Sequence, residues 1–463
     1  MVDRLGVLDV SFLYLEDATT PMHVGGVLVF ARPKGGFDYD RLVALVEQRI
    51  GQVPRFRQKV VSVPGHLSNP VWVDDPEFDI HYHVRHSALP KPGSDAQLSE
   101  LVARLMSRRL DRRRPLWEMY CVEGLAGGRF ALISKTHHAM VDGISAMDLS
   151  EVILDADPKP AAPIEPLWMP TAVPGPATLV ADALGELARR PTAIVDAVRI
   201  AALDVRTTAA RVVRAAGGLA ATAKVAARPV PDSPLNVPIG SQRRFALVRT
   251  SLEDYRQVRA KHGGTINDVV LATVAGALRA FLMSRGEPVG GSSVIRAMVP
   301  VSVRTAAEQG ALGNRVLPYF VELPIGEPNP VLRLSRISYA MAAHKEASQT
   351  VGARALIRLS GFAPPTLHAL GARAAGSFAR RFFNVVVTNV PGPQQPRYAA
   401  GAKMRDVFPV VPLAKGQALS IGLTSYLGGV FYGLNADRDA MTDVDVLPAL
   451  ITESLAELVG ASE

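Results

Sequence analysis

Two adjacent histidines, His137 and His138, are followed after three residues by Asp142 and Gly143, and no other stretch of the chain is so well suited to proton chemistry. An alcohol attacks a carbonyl poorly until its proton is removed during the attack. A neutral imidazole has the basicity for that step near neutral pH. Residues 129–135 read as a buried strand, which would set the histidines at a strand end. Gly143 would then let the backbone turn tightly into a following helix. Asp142 could touch the imidazole, or point away and hold the loop by pairing with an arginine; the spacing does not choose. Paired histidines also serve as structural groups or metal ligands, so the motif alone leaves catalysis and structure about equally open.

Other chemistries find less support. His81, His83 and His86 do not fall on one face of a strand or a helix. No cysteine or carboxylate cluster completes a ligand set, although Asp74, Asp75 and Asp79 lie nearby, so no metal is expected. Gly143-Ile144-Ser145-Ala146-Met147 lacks the final glycine of a nucleophile elbow. There is neither a Walker loop nor a dinucleotide glycine fingerprint, so ATP, NAD and flavin are not indicated and no cofactor is expected. Cys121 sits among Met119, Tyr120 and Val122, where burial would raise the thiol pKa and make it a poor nucleophile. As the single cysteine it cannot form an internal disulfide, which favours a reducing, cytoplasmic setting.

The elements that must position these groups follow from hydrophobic periodicity. Residues 24–30 form a strand-like apolar run, and 40–50 carry Leu42, Leu45, Val46 and Ile50 at helical spacing. The pattern recurs over 98–110 with Leu101, Leu105 and Leu110. Strands are expected at 117–123 and 129–135, joined by a glycine-rich turn, with a helix over 144–154. Seven prolines between residues 157 and 176 mark a linker. From 179 to 228, eight basic and four acidic residues among Ala, Val and Leu suggest one or two amphipathic helices. These would cover the core, or alternatively lie on a membrane or lipid-droplet surface. A second α/β region follows, with a helix at 265–283, strands at 294–303, 315–323 and 384–390, a hairpin over 419–434 and a closing helix at 447–459. Three segments result: 1–156, 157–240 and 241–463.

Hydrophobic residues make up 48% and charged ones 20% of the 463 residues, as expected of a chain with a large core. The N-terminus lacks the basic start and apolar run of a signal peptide, and the most apolar stretch, 269–283, is broken by Arg279. A soluble or peripheral protein is therefore expected. The net charge of +8 suits anionic partners: nucleic acid, an anionic membrane surface or a phosphorylated cofactor. Nucleic acid is not expected, because no zinc-finger spacing, aromatic-basic sheet motif or long basic block is present.

The chain resembles the wax ester synthase/diacylglycerol acyltransferase family, within the CoA-dependent acyltransferases of chloramphenicol acetyltransferase-like fold. The likeness runs through Leu8-Asp9-Val10-Ser11-Phe12-Leu13-Tyr14-Leu15-Glu16, Pro21-Met22-His23-Val24-Gly25-Gly26, Arg114-Pro115-Leu116-Trp117-Glu118 and the histidine motif. It continues in order through Thr265-Ile266-Asn267-Asp268-Val269, Pro300-Val301-Ser302-Val303-Arg304, Gly313-Asn314-Arg315 and Thr388-Asn389-Val390-Pro391-Gly392-Pro393; residues 157–240 match less closely. The resemblance implies an α+β type of α/β fold, with two such domains packed around a tunnel. His138 would be the general base, supported by His137. Asp142 would be structural, paired with Arg304 or, second, Arg296. Asn267 and Asp268 would line or shape the channel, with Asn267 a candidate oxyanion donor; Glu16, Thr388 and Asn389 are further site candidates. Trp117 is expected in the core. Acyl-CoA would be a substrate, and diacylglycerol or a long-chain alcohol the acceptor. The rival readings are a condensation-like enzyme using a carrier-protein thioester, and an idle lipid-binding protein of the same fold.

Overall fold

In the computed structural model, residues 3–32, 35–141, 153–159, 168–189, 230–231, 233–302, 316–349 and 382–462 are described. The strands are β1 (Asp3–Arg4), β2 (His23–Phe30), β3 (Gln58–Val61), β4 (Val71–Asp74), β5 (Val84–Ala88), β6 (Trp117–Leu125) and β7 (Arg129–His137) in the first part of the chain. The later ones are β8 (Arg243–Ser251), β9 (Ile295–Ser302), β10 (Val316–Leu323), β11 (Val385–Val390), β12 (Tyr398–Ala399), β13 (Ala402–Val410), β14 (Leu419–Tyr426) and β15 (Gly429–Asp437). Helices of two turns or more are α1 (Val7–Leu15), α2 (Tyr39–Ile50), α4 (Asp95–Met106), α6 (Pro176–Arg189), α7 (Leu252–His262), α8 (Ile266–Ser284), α9 (Pro330–Gln349) and α10 (Leu447–Gly460). Two single-turn helices, α3 (Ile80–His83) and α5 (His138–Val141), lie between α2 and α4 and after β7.

Two six-stranded sheets carry the fold. The first has the order β12-β13-β2-β7-β6-β5 and the second β10-β9-β11-β14-β15-β8. Each is mainly antiparallel, with a parallel pair at β5–β6 and parallel β11 between β9 and β14. A small third sheet, β1-β4-β3, holds a satellite core of Val63, Val71 and Val73 against Leu179 and Ala183 of α6.

The helices start where their sequences cap them. Asp38 accepts the Arg41 N–H at the head of α2 over 3.0 Å. Ser94 with Gln97, and Thr265 with Asp268, form reciprocal capping boxes on α4 and α8. Helix α8 is long and apolar enough to cross a membrane by length and composition, yet Val269 to Leu278 are all buried in the second core. Its apolarity is that of a core helix.

The first sheet is not built from one stretch of sequence. Strand β13 runs antiparallel to β2, with Phe408 opposite Val27 and Pro409 opposite Gly26, so a segment from the second half of the chain joins the sheet that ends in the histidines. The same segment lies across the second sheet, at a notch made by two glycines that face each other in the β14–β15 hairpin, Gly422 and Gly433. A Cβ on Gly433 would stand 1.9 Å from the Pro409 carbonyl oxygen, and one on Gly422 would stand 2.7 Å from a Val411 methyl. Only glycine permits that approach. Arg249 of β8 fastens the same joint, reaching Asp95 of α4 at 2.7 Å and Asp406 of β13 at 2.9 Å.

The expected elements are present within a residue or two or three at their ends, except over 98–110, where α4 stops at Met106. The helix expected over 144–154 and most of the region from 179 to 228 fall outside the described residues, apart from α6 and residues 153–154. Helices α1, α3, α5, α7 and α9 and strands β1, β3, β4, β5, β8, β12 and β13 went unread. Helix α7 is polar on most of its surface, and β13 finds its partner hundreds of residues away, so local patterning marks neither.

Candidate active site

Strand β7 delivers both histidines. Its backbone pairs with β2, placing His137 directly opposite His23. Gly25 allows this pairing beneath α4, since a Cβ there would lie 2.2 Å from the Ser134 carbonyl oxygen and 2.7 Å from a Met106 methyl. The strand then breaks into the single turn α5, and the His138 N–H donates to the Met22 carbonyl at 2.8 Å. The His138 imidazole is half-buried and stacks on the Phe12 ring of α1, 4.0 Å between centroids with the planes 15° apart. That stacking holds the ring at one orientation, as a base that must meet a proton in a fixed geometry requires.

His137 is fully buried and turned the other way. Its Nδ1 accepts the Ala139 N–H at 3.0 Å, so it caps the turn that carries His138. Its Nε2 points to Glu16, 3.9 Å from Oε2. Glu16 ends α1, and its side chain is 1% exposed. Arg109 reaches it at 3.1 Å and the Arg112 Nε at 2.9 Å, while His23 Nε2 lies 3.3 Å from Oε1. Burial by itself would raise the Glu16 carboxyl, but His23, His137 and Arg112 together hold it well below the usual carboxylate range. Burial pushes the two imidazoles down, His23 to about 4 and His137 to about 3, so both are neutral at physiological pH. Glu16 is thus a buried anion behind the histidine pair. His23 is not among the site candidates read from the sequence; its signal was a histidine at the head of an otherwise apolar strand.

The second half of the molecule brings two further candidates together. Asn267, in the first turn of α8, accepts a hydrogen bond at Oδ1 from Asn389 Nδ2 at 3.3 Å. Asn389 pairs in β11 with Leu423 of β14 and Thr388 with Gly422, so neighbouring side chains leave opposite faces of the sheet. Asn389 faces the head of α8, and Thr388 does not share that face. Asp268 is 3% exposed, and its Oδ2 accepts the Thr265 N–H at 2.8 Å. Its carboxylate shapes the start of α8.

Asp142, Gly143 and Arg304 lie outside the described residues. Arg296, the second candidate partner for Asp142, is buried in β9 and reaches Glu322 at 3.1 Å. Trp117 is fully buried, its Nε1–H donating to the Phe56 carbonyl at 2.8 Å and its ring stacked on His83. The imidazole of His83 approaches the Trp117 carbonyl oxygen at 2.7 Å through Nδ1, and His86 lies 3.4 Å from Glu123. Burial pushes the Cys121 thiol up to about 12.

Two mixed six-stranded sheets, the first completed by a strand from the later half of the chain, define a protein of chloramphenicol acetyltransferase-like fold. The chain belongs to the wax ester synthase/diacylglycerol acyltransferase family and is an O-acyltransferase. Residues 5–270 match the model of that family's catalytic domain and residues 312–459 that of its C-terminal domain. The chain is 35% identical to a probable diacylglycerol O-acyltransferase, tgs2, of Mycobacterium tuberculosis, over 97% of each chain. It is 33% identical to tgs1 of the same organism, over 100% of this chain and 97% of that one. Among solved structures, the wax ester synthase/diacylglycerol acyltransferase of Marinobacter aquaeolei matches with a TM-score of 0.71 and 29% identity over 99% of each chain. The starter condensation domain of rhizomide synthetase shares the fold, with a TM-score of 0.57 at 13% identity over 100% of this chain and 94% of that one.

Proposed function

We propose that this enzyme transfers a long-chain fatty acyl group from acyl-CoA to the hydroxyl of diacylglycerol, forming triacylglycerol, and to long-chain alcohols, forming wax esters, with His138 as general base. The observation that carries the assignment is the His138 imidazole, half-buried and stacked at 4.0 Å on Phe12, on a turn whose backbone is tied to Met22 and capped by His137. In this reading the substrates meet in a tunnel between the two sheets. His138 takes the acceptor hydroxyl proton as the oxygen attacks the thioester carbonyl. The tetrahedral oxyanion collapses, the C–S bond breaks, and the imidazolium returns the proton to the departing CoA thiolate. Donors near such an oxyanion typically contribute about 3 kcal/mol each, and Asn267 is the first candidate.

The same proposal sets the enzyme in the cytoplasm, peripheral to the inner face of the membrane or to lipid droplets. Met169, Val173 and Leu184 support this, being 79%, 42% and 53% exposed on and beside the amphipathic helix α6. The net charge of +8 suits an anionic surface.

The test is acyl transfer from palmitoyl-CoA to dioleoylglycerol and to hexadecanol, side by side, for the wild type and His138→Ala. Turnover that the variant loses by orders of magnitude supports the base, and the faster acceptor names the physiological one. A variant as active as the wild type overturns the assignment of His138. Failure of both acceptors overturns the acceptor class.

A further inference from the structure

Five polar groups converge behind His138: Glu16, His23, His137, Arg109 and Arg112. The two arginines are 44% and 40% exposed at their side chains, whereas Glu16, His23 and His137 are 1–2% exposed. The carboxylate is therefore held between a solvent-facing pair of guanidiniums and an inner pair of imidazoles. A buried carboxylate on such partners is costly to keep if all it does is fasten α1 to the loop after α4.

The geometry at His137 shows what the carboxylate can add. An imidazole nitrogen that accepts a backbone N–H must carry a lone pair, so the Ala139 contact places the proton of neutral His137 on Nε2. That N–H is directed at Glu16 Oε2, at 3.9 Å a charge–dipole contact longer than a hydrogen bond. The opposite tautomer would turn a lone pair toward the anion and an N–H against the N–H of Ala139. Both changes are unfavourable, and they reinforce each other.

We propose that Glu16 is a positioning residue for acyl transfer: its carboxylate, seated by Arg109 and Arg112, keeps the His137 proton on Nε2, so that Nδ1 caps the turn presenting His138. Glu16 touches neither substrate nor His138 in this scheme; it acts through His137. The inference rests on His138 being the base, and it adds what fixes that base in place. His23, opposite His137 on β2, fills the remaining side of the carboxylate.

The decisive measurement is the imidazole 15N spectrum of the full-length protein labelled at its ten histidines, with His137 assigned by a His137→Asn variant. At pH 7 the wild type is expected to show His137 as the neutral Nε2–H form. Glu16→Gln should populate the Nδ1–H form and lower kcat for palmitoyl-CoA and dioleoylglycerol by about ten- to a hundredfold, with KM within about twofold. Glu16→Asp, which keeps the charge, should recover part of the rate. A wild-type His137 found as Nδ1–H or as the imidazolium overturns the proposal. So does a Glu16→Gln protein that keeps both the Nε2–H form and the wild-type kcat, or one that loses activity with the tautomer unchanged. The wild-type spectrum decides even if Glu16→Gln does not fold. His138→Ala, assayed alongside, isolates the underlying reading: activity retained there removes the base assignment and leaves the His137 tautomer result standing.

Discussion

Asn389 donates a hydrogen bond from Nδ2 to Oδ1 of Asn267 over 3.3 Å, tying the exit of β11 to the first turn of α8 across 122 residues of sequence. The bond uses the Asn267 oxygen as acceptor, so what Asn267 can offer a developing oxyanion is its amide N–H. The head of a nineteen-residue helix adds partial positive charge at the same place.

Asn267→Ala should therefore lower kcat by about a hundredfold, the scale of one lost oxyanion donor. Asn389→Ala, which only frees the Asn267 amide to rotate, should cost less. Because the two act as one unit, the double variant should lose little more than Asn267→Ala alone. Fully multiplicative losses in kcat would show that the two act independently.

Asp268 gives a contrasting outcome one residue away. Removing its side chain opens the capping box on α8, so Asp268→Ala should lower stability by about 1 kcal/mol in urea unfolding while kcat stays near wild type. A large loss of kcat with unchanged stability would return Asp268 to the substrate channel.

The glycine notch is a stability element. Gly433→Ala places a methyl 1.9 Å from the Pro409 carbonyl oxygen, a backbone atom that no side-chain rotation can move aside. A loss of roughly 2–3 kcal/mol is expected, read as a lowered urea midpoint. Gly428→Ala in the neighbouring turn, at φ 81° with nothing near its Cβ, should cost only the milder backbone strain.

Acid should destabilise the fold through the cluster behind the histidines. His23 titrates near 4 and His137 near 3 when folded, against about 6.5 when unfolded, both because burial disfavours the imidazolium. Between those values the unfolded chain binds protons that the native one does not, so stability is intact above pH 6.5 and falls as pH drops toward 4. Each group contributes a slope of up to about 1.4 kcal/mol per pH unit. Glu16, held low by its cationic and imidazole neighbours, adds loss of the same sign below its ordinary titration range. The urea midpoint followed from pH 7 to pH 4.5 should decline, and less steeply in His23→Gln. An unchanged slope in that variant would show that His23 takes up its proton in the native state as readily as in the unfolded chain.

Much of the scaffold could be read along the chain. The buried strand that ends at His137, the helical spacing of Leu42, Leu45, Val46 and Ile50, and the apolar run after Thr265 each report a local burial pattern, and each became the expected element. The site residues were legible as types in order, through family resemblance, but their work was not. Thr388 and Asn389 are adjacent site candidates, and the pleat sends them to opposite faces. Asp268, expected to line or shape the channel, also caps its own helix. Glu16 read as a possible substrate contact and is buried against two arginines and two histidines drawn from three other segments.

By itself, then, the sequence determined the two α/β regions, a histidine at a strand end and the class of chemistry an imidazole there can perform, because periodicity and residue type are local properties. The tertiary structure alone decided that β13 completes the first sheet, that Gly422 and Gly433 face each other beneath Pro409, that Asn267 meets Asn389, and that His23 and Glu16 stand behind His137. Most of those relations join residues far apart in the chain, and their spacing carries no periodic signal. They exist only once burial has brought the strands into register, when a charge or a missing Cβ first acquires a neighbour.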